Sequence, residues 1–252
     1  MFFVKISLLK LYTLFSTYLE KLFFLKKEVQ SNFLLIGYDK LKLKNNHFNK
    51  KEIFEKIIKD NSYFHRNIIK KDSINYLLQL IFIQNENMKY ISEVTGYNFS
   101  IDFILAYSTL NIEEKNLTKA IYANHWHRDK PYSKNTLKII MPISKINNNC
   151  GPMEILSVKQ SQFYNDYNIG CLNINESFKL TGSSEDIFIF RPNVCYHRAG
   201  NPEDGIIRSQ IMFQLNPSRI WKFSKKLYEK QFKLEPKFPL LGLFEKKIKL
   251  SL

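Results

Sequence analysis

Two histidines and an aspartate crowd the stretch NHWHRDKPYS, residues 124–133, in a chain with five histidines. In an extended strand, residues two apart share a face, so His127 and Asp129 project together and Arg128 turns away. An imidazole nitrogen and a carboxylate oxygen on one side suit a divalent metal. Two ligands hold a metal weakly, so a third must come from elsewhere. His47 and His65 fall in segments that read as helical. His197, in PNVCYHRAGNP, stands at the end of a late strand pattern. The opposing reading is a pair of surface polar residues at a turn, since a His-x-Asp pair also arises by chance. His125 shares the strand face with His127 and is the competing ligand; otherwise it lines the pocket wall. Trp126 and Arg128 read as packing and surface residues.

Two histidines and one carboxylate leave three positions of an octahedron open, the facial arrangement of non-haem Fe(II) oxygenases. After His197 the chain turns through RAGNPEDG and enters a strand that carries Arg208. A guanidinium there can clamp a carboxylate through two parallel hydrogen bonds. The alternative is a structural ion pair with Asp186 or Glu203. Lys138, on the strand after the His-x-Asp pair, could face the same site and meet an anionic group, or be a solvated lysine.

The elements that must position these residues divide the chain. Residues 1–96 read as mainly helical: KKEIFEKIIKD and SINYLLQLIFIQNENMKYISEVTG carry apolar residues at three- and four-residue spacing. Gly96 is a helix stop. FSIDFILAYSTLNI then reads as a strand, and TLKIIMPIS, ESFKLTG, EDIFIFRP and IIRSQIMFQLN follow, bounded by NNNCGP, TGSS and AGNPEDG. Helices first and short strands after indicate an α+β protein built on a β-sandwich or barrel. No internal repeat or linker is evident. The chain divides into a helical part (1–96), a β core (97–218) and a basic C-terminal extension (219–252), within one domain.

The 252 residues can bury a full core, and 44% hydrophobic with 15% aromatic content excludes a disordered chain. The net charge of +15 points to an anionic partner, although abundant Lys, Asn, Ile and Phe also reflect an AT-rich coding bias. Cys150, Cys171 and Cys195 show no CxxC spacing, which argues for a reducing compartment and a cytoplasmic protein. The opening segment MFFVKISLLKLYTLFSTYLEKLFFLKK is interrupted by Lys5, Lys10, Glu20 and Lys21. It reads as an amphipathic helix rather than a signal peptide. Packing on the domain is favoured over lying on a membrane, because the apolar face is wide. The tail FPLLGLFEKKIKLSL poses the same choice.

The ordered pattern HRD, LKIIMPISKINNNCGPMEI, GSSEDIFIFRPNVCYHRAGNP and IIRSQIMFQL resembles the phytanoyl-CoA dioxygenase family of Fe(II)/2-oxoglutarate oxygenases. The resemblance spans about residues 96–218. It implies a double-stranded β-helix, a jelly-roll barrel, with flanking helices. It implies iron held by His127, Asp129 and His197, with Arg208 on the distal carboxylate of 2-oxoglutarate. The implied reaction consumes O2, hydroxylates an unactivated carbon of a small-molecule substrate that could be anionic, and releases succinate and CO2. Asp129 favours hydroxylation over halogenation, since related halogenases lack the carboxylate. The chain departs from the family at Ser157–Ser161, where Pro-Gly-Ser-His is common, and at Ala199, where a small hydroxyl residue is common. A cupin-like metal enzyme or sensor without 2-oxoglutarate is the main rival. A catalytically silent barrel and a nucleic-acid demethylase rank below it. The demethylases of this superfamily carry a second arginine where this chain has Gln214, so nucleic acid is not an expected partner.

Overall fold

The computed structural model describes residues 2–44, 53–129, 133–228 and 247–249. Its frame is strand β4 (Asn98–Thr109), whose aromatic and β-branched residues suit a pleated, half-buried surface. Strand β12 (Arg208–Ser218) runs antiparallel along it, from Arg208 opposite Thr109 to Ser218 opposite Asn98. Strands β6 (Leu137–Pro142), β10 (Asp186–Phe190) and β1 (Tyr38–Lys42) extend the sheet beyond β12. On the far edge of β4 sits the hairpin of β2 (Phe54–Lys59) and β3 (Phe64–Ile69). Beside it, β13 (Lys222–Ser224) pairs parallel to β4 and antiparallel to β14 (Lys247–Lys249).

A second sheet of short strands has the order β8 (Asn168–Gly170), β5 (Trp126–His127), β11 (His197–Arg198), β7 (Glu154–Ile155), β9 (Phe178–Lys179). The chain passes back and forth between the sheets: β4, β6, β10 and β12 lie in the large one, and β5, β7 and β11 in the small one.

Period-two alternation assigns the faces. Leu137, Ile139, Ile187, Ile189, Ile211 and Phe213 share a core with Leu77, Ile81 and Phe82 of the helical segments. Their neighbours Ile140, Phe188, Phe190 and Met212 pack instead with Ile155 of the small sheet and Cys195. Helices therefore cover one face of the large sheet, and the small sheet covers the other. Burying each such large apolar side chain stabilises the fold by about 1.5–3 kcal/mol. The same parity brings Lys138, Arg208 and Gln210, all buried, to the face between the sheets.

The expected α+β class holds, and so do the long strand at 98–109 and the four strand segments after it. Gly96 ends the helix Asn87–Thr95 in a left-handed conformation, φ 79°. Most described residues of 1–96 lie in helices, but the helical reading of KKEIFEKIIKD needs correction. KKEIFEKIIKD supplies β2, and β1 and β3 are also strands. An apolar run this short does not separate helix from strand by spacing, and pairing with the edge of β4 decides it. The helical run Lys71–Gln84 widens into a π-helix at Gln79–Gln84, and Glu86, at φ 55°, breaks it from the next helix.

Helix α1 (Phe2–Phe24) forms as expected and packs on the domain, but the expected face is reversed. Thr13, Ser16, Glu20 and Phe24 are buried, while Leu11, Leu14, Phe15, Tyr18 and Leu22 are exposed. Apart from β14, the tail FPLLGLFEKKIKLSL lies outside the described residues.

Candidate metal centre

His127 and His197 face each other across the small sheet as direct antiparallel partners, with ring centroids 4.4 Å apart. Each ring is oriented in the same way. His127 Nδ1–H donates to the His125 carbonyl oxygen at 2.8 Å, and His197 Nδ1–H to the Cys195 carbonyl at 3.2 Å. These bonds fix the tautomer and leave both Nε2 lone pairs free to accept. Both Nε2 atoms point at Asp129 Oδ1, from 3.7 Å for His127 and 3.5 Å for His197. One ligand atom from each of the three residues lies within 4.8 Å of the others, the spacing at which a single ion can be held.

Asp129 lies just past the short strand β5, anchored by its backbone N–H to the Pro192 carbonyl at 2.9 Å. The two residues that the strand-face argument paired are therefore brought together by a turn rather than a strand. Burial would raise the carboxyl pKa, but the Lys138 ammonium and His197 hold it well below the usual carboxylate range. Lys138 forms an ion pair with Asp129 Oδ2, so the anion it meets in the protein is Asp129 itself. Burial, reinforced by His197, pushes the His127 imidazole down to about 4 and keeps it neutral at pH 7. This donor set of two imidazoles and an ionised carboxylate fits a divalent first-row metal.

His125 stands outside this group and contributes its carbonyl oxygen to the orientation of His127. Trp126 is fully buried, its indole N–H donating to the Leu172 carbonyl at 2.9 Å. Arg128 is not the surface residue expected. Its guanidinium sits 4.4 Å from the Tyr196 ring centroid and donates to the Ser161 carbonyl at 2.8 Å, tying the metal-site turn to the helix Val158–Ser161. That helix begins where the sequence departs from the family pattern, and Ser157 with Gln160 closes a capping box there.

Arg208 is completely buried at the start of β12. Its Nη1 donates to the Gly151 carbonyl and, at 3.3 Å, to the Gly200 carbonyl. Nε and Nη2 have no hydrogen-bond partner among the described residues. No carboxylate pairs with it there. Asp186, the alternative partner, is taken by Lys42 at 2.7 Å and Lys40 at 3.5 Å. Burial lowers the guanidinium pKa, and Tyr107, Tyr122 and Cys150 are the neighbours that act on it electrostatically. A buried cation with two open donors needs an anion.

Sequence reasoning missed part of this wall. Gly151, left-handed at φ 57°, holds its carbonyl toward Arg208, and a Cβ there would meet the Asn201 backbone at 2.2 Å. Tyr122 and Ala123 also have positive φ, 34° and 67°, and the Ala123 carbonyl accepts from the Ala199 N–H at 2.9 Å. Backbone strain of this kind concentrates at functional sites, and no sequence signal marks it at a tyrosine and an alanine.

No family model matches the sequence, and no curated protein matches it either. Solved structures do match in fold. The epimerase SnoN in complex with Fe3+, alpha ketoglutarate and nogalamycin RO aligns with a TM-score of 0.51 and 11% identity, over 73% of this chain and 80% of that one. HygX from Streptomyces hygroscopicus with nickel and 2-oxoglutarate bound aligns with a TM-score of 0.50 and 9% identity, over 77% of this chain and 89% of that one. The protein shares their fold.

Proposed function

We propose that the protein is an Fe(II)- and 2-oxoglutarate-dependent oxygenase, a single phytanoyl-CoA-dioxygenase-like domain whose two sheets form a double-stranded β-helix. The observation that carries this reading is Arg208. A fully buried guanidinium with Nε and Nη2 uncommitted is a receptor for a carboxylate. A cupin-like metal protein without an anionic cosubstrate would leave those donors without a task. The two fold relatives hold a metal together with alpha ketoglutarate or 2-oxoglutarate, which supports the assignment.

In this reading His127 Nε2, His197 Nε2 and one Asp129 oxygen hold the metal. When bound, Fe(II) with 2-oxoglutarate supplies O2 activation and oxidation of an unactivated C–H bond, with release of succinate and CO2. The chain's own residues position and protect. The His125 and Cys195 carbonyls aim the imidazoles. Lys138 engages Asp129 Oδ2, which leaves Oδ1 for the metal, and it is also the cation placed to meet a carboxylate brought there. Arg208 anchors the distal carboxylate, preset by the Gly151 and Gly200 carbonyls. Phe190, in edge contact with the His197 ring at 5.1 Å between centroids, keeps water from that side of the site. The substrate is a small molecule, and the reaction is hydroxylation.

The test is a titration under anaerobic conditions. The protein should bind about one Fe(II), Mn(II), Ni(II) or Co(II) per chain. The metal-loaded form should then bind 2-oxoglutarate, with N-oxalylglycine competing, and release succinate slowly in air. Metal binding without 2-oxoglutarate binding would overturn the reading in favour of the cupin-like one.

A further inference from the structure

A helix on a protein surface ordinarily turns its apolar stripe inward. Helix α1 does the reverse. Leu11, Leu14, Phe15, Tyr18 and Leu22 are 65%, 56%, 55%, 64% and 63% exposed, whereas Thr13, Ser16 and Glu20 are 6%, 2% and 2% exposed. Their spacing of three and four residues places the apolar set on one continuous stripe.

The orientation is held by specific polar bonds. The Ser133 hydroxyl and the Asn135 amide, the latter at 3.1 Å, donate to Glu20 Oε2. The Lys134 N–H donates to Thr17 Oγ1 at 3.2 Å. Rotating the helix to bury its leucines would break all three. A contiguous exposed apolar stripe maintained in this way marks an interaction surface.

The chemistry beside the stripe identifies the partner. At the C-terminal end of α1 lies a surface groove of about 410 Å³, lined by Lys21, Lys26 and Lys27 together with Tyr18, Leu22, Leu25 and Glu28. Glu28 pairs with Lys21 at 2.6 Å, which leaves Lys26 and Lys27 to set the sign of the groove. The one carboxylate within the described part of the stripe's helix, Glu20, is turned into the protein. An apolar stripe with a lysine-lined end is the composition of a helix lying in a membrane interface.

We propose that α1 seats the protein on the surface of an anionic lipid bilayer, with Leu11, Leu14, Phe15, Tyr18 and Leu22 at the acyl boundary and the groove lysines at the headgroup phosphates. Among the described residues no helix is long and apolar enough to cross a membrane, so the helix lies in the plane. A second copy is a poor occupant, since two chains of charge +15 would bring the same lysines together.

The test uses the full chain, sedimented with vesicles of phosphatidylcholine alone or with about one third phosphatidylserine. The wild type should partition onto the anionic vesicles, less so onto the neutral ones, and less at high salt. The double variant Phe15→Asp/Leu22→Asp should lose about tenfold or more of that partition, with an unchanged thermal melt because both positions are exposed. Lys26→Glu/Lys27→Glu leaves the stripe intact and should lose the preference for phosphatidylserine. Absence of wild-type partition overturns the proposal, as does equal partition by both variants. A wild-type dimer in sedimentation equilibrium that Phe15→Asp/Leu22→Asp converts to monomer also overturns it, because a second copy would then cover the face.

Discussion

Replacing Arg208 with alanine should leave metal binding intact and remove most of the affinity for 2-oxoglutarate. The guanidinium is fixed before any ligand arrives, by Nη1 to the Gly151 and Gly200 carbonyls. Nε and Nη2 form one edge of the planar fork, and both are open. A carboxylate on that edge gains two charge-assisted bonds, each worth about 1.5–3 kcal/mol. Part of the gain is offset by desolvating the ligand, so the net loss on truncation is about 2–5 kcal/mol, or roughly thirtyfold to several thousandfold in Kd. Arg208→Lys should recover only part of this, since an ammonium lacks the fork. The assay is an anaerobic calorimetric or optical titration of Fe(II)-loaded wild type, Arg208→Ala and Arg208→Lys with 2-oxoglutarate, after metal content has been matched. Equal affinity in wild type and Arg208→Ala would refute the assignment. A loss of bound metal in Arg208→Ala would show that the arginine acts by holding the fold around the site.

Alanine at His127, Asp129 or His197 should each abolish stoichiometric metal binding, read by metal analysis after gel filtration; retention by His127→Ala with loss by His125→Ala would move the ligand to His125. Lys138→Ala releases Asp129 Oδ2 and should weaken metal affinity by about tenfold, as loss of an outer-sphere partner does, and an unchanged affinity would make the ion pair incidental. Gly151→Ala forces a Cβ to 2.2 Å from the Asn201 backbone at positive φ and moves the carbonyl that presets Arg208. It should therefore raise the Kd for 2-oxoglutarate while metal is retained, and the same titration checks it. Burial raises the Glu20 carboxyl from 4.5 to about 7 against the opposing hydrogen bonds of Ser133 and Asn135. The folded state thus binds the extra proton, and stability should fall as pH rises from about 4.5 to 7, by up to about 3 kcal/mol. Urea melts of Glu20→Gln should lack that slope, and parallel profiles for the two proteins would discard it.

The parts of the fold that were legible are those where one local rule was enough. The β4 segment reads as a strand because β-branched and aromatic residues recur through it without helical spacing, and Gly96 reads as a stop because it takes the left-handed conformation that ends that helix. KKEIFEKIIKD was misread because its short run fits both periods, and its conformation follows from hydrogen bonding to β3, which in turn pairs with β4. Helix α1 was legible as amphipathic but not as to which face is buried. Hydrophobicity favours the leucines, while the docking bonds to Ser133, Lys134 and Asn135 come from residues more than a hundred positions away.

The site shows the same division. The residue types of the candidate site were legible because metal chemistry restricts ligands to a few side chains, and their spacing kept His127 with Asp129. What spacing could not supply is how His127 and His125 differ. That follows from the cross-strand register, which sets His197 opposite His127, and from a turn that swings Asp129 toward both Nε2 atoms. Arg208 was legible as a charge on a strand that ought to be apolar. Its uncommitted edge was not, because that depends on which groups the fold brings to Nε and Nη2, and the described residues bring none. Had the fold brought a carboxylate to that edge, the same arginine in the same sequence position would be a structural ion pair. The functional reading therefore rests on an edge of the guanidinium that the fold leaves open, and that only the folded chain reveals.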